Sequence, residues 1–425
     1  MFAKSLMVLG LALLPAGSFD FGFGRGLLAI KDQDGDGLEE LLIVDQTHRD
    51  GFPAQFYVWS PGADRCLQNF NHGRHMDDGT DSLVAVQGID DADAVYIGFN
   101  STGAYLVLFS TLDGTELRRF HLEGCSLGWI SAAIWNMGDV DGIPGDEVLV
   151  SYKADQDELE GNSWYREAII LSLEKGDIPR VEHGDYFGVV SDIDEDGVPE
   201  YIVSRDMGRR VCNGRTGESL FVLDSKLDGD PALGGFGYHP TADLDDDGTA
   251  DILEFMSGEG VAGRDPHYAE MRALSGTNGD LLWTSERLGC TGYTDSSVAM
   301  VDDHDEDGTP DIVLSNALGL NRDSGCPDWR ILSGSSGVVL ARFKWREPEH
   351  KGQVTWARGT GMALMGDLDG DGHRDVAISH TKPRHRGYGD GFVGLYSTKK
   401  GLIRTIWRED VELDPAIEES SESDD

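Results

Sequence analysis

The chain has 425 residues, 39% hydrophobic and 26% charged, the balance of a folded domain. Its 77 acidic residues outnumber 35 basic ones, and a formal charge of −42 repels nucleic-acid phosphates and anionic lipid headgroups alike, which argues against both as partners. The 56 glycines against 14 prolines point to many tight turns between short strands, an all-β chain.

Residues 1–18 place Lys4 before an apolar run from Leu6 to Leu14, followed by small Ala16, Gly17 and Ser18. That is the pattern of a secretory signal peptide cleaved near Ser18; the alternative is a buried first strand or helix. The run is too short to span a bilayer, and no other segment is long enough, so membrane insertion is not expected. A secreted, periplasmic or cell-surface location is.

Residues 19–410 repeat themselves. The segments DQDGDGLEELLIV from Asp32, DVDGIPGDEVLV from Asp139, DIDEDGVPEYIV from Asp192, DLDDDGTADIL from Asp243, DHDEDGTPDIVL from Asp303 and DLDGDGHRDVAI from Asp367 share one frame. The first gap is about twice the others, and it holds a seventh copy, GIDDADAVYIGF from Gly88 to Phe99, whose acidic loop at Asp90 has lost the spacing and is expected to bind nothing. Between the motifs lie seven strand–turn–strand segments, among them RALSGTNGDLLW and RILSGSSGVVLARF, that read as hairpins. Each unit then supplies four strands. The expectation is an all-β, seven-bladed β-propeller of four-stranded antiparallel blades with calcium-binding loops, a ring being preferred to a solenoid because closure removes exposed edges. The acidic segment 411–425 reads as a disordered tail.

In Asp-x-Asp-x-Asp-Gly-x-x-Asp/Glu, alternate side chains converge when the loop curls, and the glycine allows the sharp turn. Positions 1, 3, 5 and 9 are filled by Asp32, Asp34, Asp36 and Glu40; by Asp192, Asp194, Asp196 and Glu200; by Asp243, Asp245, Asp247 and Asp251; by Asp303, Asp305, Asp307 and Asp311; and by Asp367, Asp369, Asp371 and Asp375. A backbone carbonyl at position 7 would come from Leu38, Val198, Thr249, Thr309 and His373. A weaker sixth loop keeps Asp139, Asp141 and Glu147 but has Ile143 at position 5. All-oxygen donors favour Ca²⁺ over zinc or copper, with Mg²⁺ the lesser option, so about five or six Ca²⁺ ions are expected. The β-branched residues after position 9 argue against an EF-hand, which needs a helix there.

These repeats resemble the FG-GAP repeats of integrin alpha-subunit propellers and of secreted bacterial proteins. The marks are Phe21-Gly22, Phe23-Gly24, Phe187-Gly188 and Phe236-Gly237, and the run Gly-Asp-Leu-Asp-Gly-Asp-Gly at 366–372. The resemblance spans about residues 20–408. It implies calcium loops on one face and ligands on the opposite face or the top loops. No inserted adhesion domain or leg domain is present, so an integrin-like receptor is not implied.

Motifs for a zinc protease, a serine hydrolase or a P-loop are missing. The most basic stretch holds His380, Arg384, His385, Arg386 and Tyr388 and reads as a loop of the last blade, a contact for an acidic sugar or a solvated loop. A second cluster holds His72, Arg74 and His75. Trp164, Trp345 and Trp356 lie in long loops and offer stacking on sugars or packing at strand edges. Asn100-Ser101-Thr102 matches a glycosylation sequon. Of Cys66, Cys125, Cys212, Cys290 and Cys326, the pair Cys290–Cys326 is the candidate disulfide, against buried free thiols. The resulting expectation is a non-catalytic binding or adhesion module for an extracellular glycan or protein. The alternatives are a polysaccharide lyase or hydrolase and a structural surface protein.

Overall fold

Short runs of Val, Ile, Leu and aromatic residues, closed by glycine turns, fold as seven four-stranded antiparallel sheets in a seven-bladed β-propeller. The computed structural model describes residues 23–45, 55–71, 80–89, 92–100, 103–122, 133–153, 166–178, 180–184, 186–205, 208–223, 236–259, 267–286, 288, 298–315, 329–343, 361–381 and 391–411.

Blade 1 comprises β1 (Phe23–Ile30), β2 (Glu40–Asp45), β3 (Gln55–Ser60) and β4 (Arg65–Phe70). Blade 2 comprises β5 (Thr80–Ile89), β6 (Ala92–Asn100), β7 (Gly103–Phe109) and β8 (Glu116–Leu122). Blade 3 has β9 (Ala133–Gly138), β10 (Glu147–Lys153), β11 (Arg166–Ser172) and β12 (Arg180–Gly184), and blade 4 has β13 (Tyr186–Val189), β14 (Tyr201–Arg205), β15 (Gly208–Cys212) and β16 (Ser219–Leu223). Blade 5 has β17 (Phe236–Pro240), β18 (Ile252–Glu259), β19 (His267–Leu274) and β20 (Leu281–Thr284), and blade 6 has β21 (Val298–Val301), β22 (Asp311–Ser315), β23 (Trp329–Leu332) and β24 (Val339–Phe343). Blade 7 ends the ring with β25 (Met362–Leu364), β26 (Val376–Thr381), β27 (Gly391–Ser397) and β28 (Gly401–Trp407), followed by the single helical turn α1 (Arg408–Val411). The seven hairpins and the degenerate second unit read from the sequence are all present.

Each blade is sandwiched between two others, which explains its strand composition. The second strand is covered on both faces: every residue of β2 and of β22 is buried, so these strands are near-continuous apolar runs. The fourth strand is an edge, and β24 alternates between half-buried and exposed positions. The core is correspondingly divided into seven clusters, one between each neighbouring pair of blades. Between blades 1 and 2, Phe56, Val58, Tyr96, Val107 and Phe109 interlock. Burial of each such side chain stabilises by about 1.5–3 kcal/mol.

A second device repeats around the rim. The turn between third and fourth strands ends on a residue at positive φ, and the fourth strand of the preceding blade packs under it. Phe70 lies under Gly114, Phe120 under Gly176 and Trp283 under Gly337. Gly337, at φ 68, leaves only 2.4 Å between an added Cβ and Trp283, so no larger residue fits. The same outer strands bond the next turn's carbonyls, as Trp283 Nε1 does to Gly334 O at 2.8 Å.

No strand is exchanged at the seam. Blades 7 and 1 are joined by Met365, Ala377, Val393, Leu395, Ile406 and Val411 packing on Leu27, Leu41, Ile43, Tyr57 and Trp59. Arg404 of β28 pairs with Asp64, which takes the positive-φ position (57°) held by glycine in the other turns, and its guanidinium lies 5.2 Å from the Trp59 ring centre. Arg408 Nε reaches buried Asp45 Oδ2 at 3.0 Å. Val411 is buried in this cluster.

Candidate metal centres

The acidic loops join the first strand of a blade to the second, and the turn between third and fourth strands lies over them. Within each loop, the position-1 carboxylate gathers the backbone. Asp243 Oδ2 accepts from Gly248 N at 2.8 Å and Oδ1 from Asp247 N at 3.2 Å; Asp367 Oδ2 accepts from Gly372 N and Oδ1 from Gly370 N, both at 2.7 Å. The position-6 glycines need unusual backbone angles, φ 94 at Gly248 and 97 at Gly308, beyond the left-handed helical region open to other residues. Position 4 sits closer to that region, at φ 59 for Glu195 and Asp246 and 62 for Glu306, and accepts acids as well as glycine. The position-5 carboxylate accepts from position 7, for example Asp247 Oδ1 from Thr249 N at 2.8 Å and Asp371 Oδ1 from His373 N at 3.0 Å.

Position 9 is the first residue of the second strand or the one just before it, and is buried in every loop: Glu40, Glu147, Glu200, Asp251, Asp311 and Asp375. One oxygen accepts from the position-2 amide, at 2.8 Å from Gln33, 2.7 Å from each of Val140, Leu244, His304 and Leu368, and also from Ile193. The other oxygen differs between loops. In Asp251 and Asp311 it accepts from Gly276 N at 2.9 Å and Gly334 N at 3.0 Å. In Glu40, Glu147 and Glu200 (Oε1) and in Asp375 (Oδ1) it is buried without a hydrogen-bond partner. A buried anionic oxygen left unpartnered is costly unless a cation meets it.

The electrostatics agree. Burial, reinforced by neighbouring loop carboxylates, pushes Glu200 up to about 8 and Asp251, Asp311 and Asp375 up to about 6. Burial also raises Glu40 and Glu147. Ligand oxygens converge within 4.8 Å of one another in the sets Asp32–Asp34–Asp36, Asp139–Asp141–Glu147, Asp192–Asp194–Glu200, Asp243–Asp245–Asp251 and Asp303–Asp305–Asp311. These groups can hold a metal ion, and their donors are hard oxygens throughout.

In blades 3 to 6 positions 1, 3 and 9 thus come together, and in blade 1 positions 1, 3 and 5 do, whereas Asp196, Asp247 and Asp307 at position 5 turn toward the covering turn. Asp196 Oδ2 accepts from Asn213 Nδ2 at 3.1 Å, Asp247 Oδ2 from Thr277 Oγ1 at 2.6 Å, and Asp307 from Ser335. Ser397 and Ser60 reach Asp371 and Asp36 at 3.2 and 3.4 Å. Sequence reading treated these turns only as hairpins and missed this polar lid. The signal was present in the Ser or Asn that opens every turn: Ser60, Ser110, Ser172, Asn213, Ser275, Ser333 and Ser397.

The degenerate blades differ in kind. In blade 2, Asp93 accepts from Thr111 N at 2.7 Å and Thr111 Oγ1 at 2.5 Å; Asp90 itself lies outside the described residues. In blade 3, Lys175 Nζ lies 2.5 Å from Asp141 Oδ2 and holds that carboxyl below its usual range.

His380 is a correction. It lies within β26 rather than a loop, is buried, and its Nε2 shares a 2.7 Å hydrogen bond with the Tyr396 hydroxyl. The apolar alternation of Val376, Ile378 and His380 on one strand face carries it into the core, and burial depresses it to about 3. Arg384, His385, Arg386, Tyr388, His72, Arg74, His75, Trp164, Trp345, Trp356, Ser101, Thr102 and the residues of the signal-peptide pattern lie outside the described residues, as do Cys125, Cys290 and Cys326. Cys66 and Cys212 are buried free thiols.

No protein-family model matches the chain, and no curated protein matches it in sequence. Among solved structures it is similar to the dihydro-heme d1 dehydrogenase NirN in complex with DHE, at 12% identity and TM-score 0.43, over 90% of this chain and 66% of that one. It is similar to KlHsv2 with loop 6CD replaced by a Gly-Ser linker, at 9% identity and TM-score 0.42, over 90% and 96%. It is similar also to the V. cholerae biofilm matrix protein Bap1, at 13% identity and TM-score 0.37, over 92% and 73%. Likeness at that distance says nothing about ligand or activity.

Proposed function

We propose that this chain is a secreted calcium-binding propeller that acts as a non-catalytic binding or adhesion module for an extracellular glycan or protein, of the kind that FG-GAP repeats build. The observation that carries the calcium reading is the buried position-9 carboxylate, with an unpartnered oxygen in Glu40, Glu147, Glu200 and Asp375, and with Glu147 and Glu200 converging on two further carboxylates each. Calcium suits such a set of oxygens and tolerates its irregular geometry better than magnesium does. Bound there, it would supply charge neutralisation and tie each loop to its blade. Asp32, Asp34, Asp36, Glu40 and their counterparts would hold it.

The metal loops and the covering turns occupy one end of every blade. The connections between second and third strands, with 154–165 and 316–328 the longest of them, leave from the other end together with those between blades, which range from residue 185 alone to 344–361. Variable loops on a rigid scaffold are where recognition is usually built.

The test is to probe the mature chain against arrays of neutral and acidic polysaccharides and extracellular matrix proteins, in CaCl₂ and in EDTA. Saturable, calcium-dependent binding without new reducing ends or unsaturated sugars is expected. Release of either product would replace the binding module with a hydrolase or lyase. Absence of binding to both classes would contradict the reading.

A further inference from the structure

The residue just before the positive-φ position of the covering turn is Ala63, Asp113, Thr216, Asn278 or Ser336 in five blades, but Lys175 in blade 3 and Lys400 in blade 7. Both lysines reach into the loop beneath. Lys175 Nζ is 2.5 Å from Asp141 Oδ2, and Lys400 Nζ is 3.0 Å from Asp369 Oδ2 and 3.4 Å from Asp371 Oδ2.

The loops below them are unequal. Blade 3 has lost the position-5 acid to Ile143 and the position-6 glycine to Pro144, yet Asp139, Asp141 and Glu147 still converge within 4.8 Å. Three carboxylates that close repel one another unless a positive charge sits among them. With one ammonium present, the set is left at a formal charge of about −2, one less than the three carboxylates alone would offer a divalent ion. Blade 7 keeps all four acids and stays near −3 even with Lys400 in place, whereas the position-9 acids of the two loops are alike, Glu147 and Asp375 each having a buried oxygen without a hydrogen-bond partner. In blade 2, Asp93 accepts from the backbone and hydroxyl of Thr111 on the covering turn.

Resting on the reading of these loops as calcium sites, we propose that Lys175 is a tethered counter-cation that takes the metal ion's place in blade 3, and that Lys400 is a competitor displaced when blade 7 loads its ion. The unmodified chain then binds about five ions, not six.

The experiment compares the unmodified chain with Lys175→Met and Lys400→Met by elemental analysis after dialysis into CaCl₂, and by melting in EDTA and in CaCl₂. Lys175→Met is expected to melt lower than the unmodified chain in EDTA, to recover in CaCl₂, and to gain one ion. Lys400→Met is expected to keep the ion count and bind its ion at least several-fold more tightly. A measurement on the unmodified chain needs no variant to fold: acylation of lysines read by mass spectrometry. Calcium should raise the reactivity of Lys400 and leave Lys175 protected. Six ions in the unmodified chain, no gain in Lys175→Met, or release of Lys175 by calcium would each overturn the proposal while leaving the calcium reading intact. An unmodified chain that binds no ion would overturn the calcium reading and this proposal together.

Discussion

Replacing Glu200 with Gln separates a metal ligand from a structural acid. The carboxyl is fully buried, one oxygen accepts from Ile193 N, and the other has no partner. Burial raises its pKa from 4.5 to about 8. A raised carboxyl contributes stability that is complete below its unfolded pKa and is lost as pH rises through about 8. At pH 7 the metal-free chain therefore carries it mostly protonated, and Gln is a close mimic of that form. In EDTA the variant should melt with the unmodified chain near pH 4, where folded and unfolded states both hold the proton, and above it at pH 7 and pH 9, where the unfolded chain has released it. In calcium that advantage should shrink or vanish. A cation must first displace the proton, which at pH 7 costs about 1.4 kcal/mol, a tenfold loss of affinity relative to high pH. Once bound at 100-fold above its dissociation constant it stabilises the fold by about 2.7 kcal/mol. Glu200→Gln should forfeit most of that increment. Thermal and urea unfolding with and without calcium read both numbers. An equal deficit in EDTA and calcium would make Glu200 a structural acid only, and an equal advantage in both would remove it from the metal site.

Further outcomes follow from other residues. Calcium uptake by the loops of Asp251, Asp311 and Asp375 should release protons at pH 5–6 and none from these three at pH 8, because their carboxyls titrate near 6; calorimetry in two buffers of different ionisation enthalpy measures the release. Gly248→Ala puts a Cβ into open space but forces φ 94 on an L-residue, so a loss of roughly 1–3 kcal/mol should come from backbone strain alone; Asp246→Gly, at φ 59, should cost nothing or stabilise slightly. Arg408→Ala strips the guanidinium from buried Asp45 at the seam and should destabilise by roughly 2 kcal/mol in urea, whatever the calcium concentration.

The repeat made the ring legible. Six acidic motifs and seven hairpin turns mark seven units even where Asp90 breaks the frame, because a missing metal loop leaves the strand pattern around Val95 and Ile97 intact. Positions 1, 3 and 9 were legible for the same reason: each is an acid at fixed spacing. The role of position 5 was not, since spacing alone cannot say that Asp247 turns to Thr277. Nor could it place Lys175 over Asp141, because that contact spans 34 residues and depends on the turn folding back across the loop. His380 was misread because its basic neighbours in sequence, Arg384 and His385, suggested a loop, while strand alternation from Val376 put its own side chain inside. The seam contacts of Arg404 and Arg408 join the two ends of the chain, and no local pattern announces them.

The claim that the acidic loops are structural cation sites is tested most directly by unfolding the chain in excess EDTA and then in millimolar CaCl₂, with bound metal counted by elemental analysis. A large calcium-dependent rise in melting temperature, accompanied by about five ions per chain, is the expected result. An unchanged melting temperature with no bound calcium would reduce the loops to solvated turns between strands and leave the buried oxygens of Glu40, Glu147, Glu200 and Asp375 to protons alone.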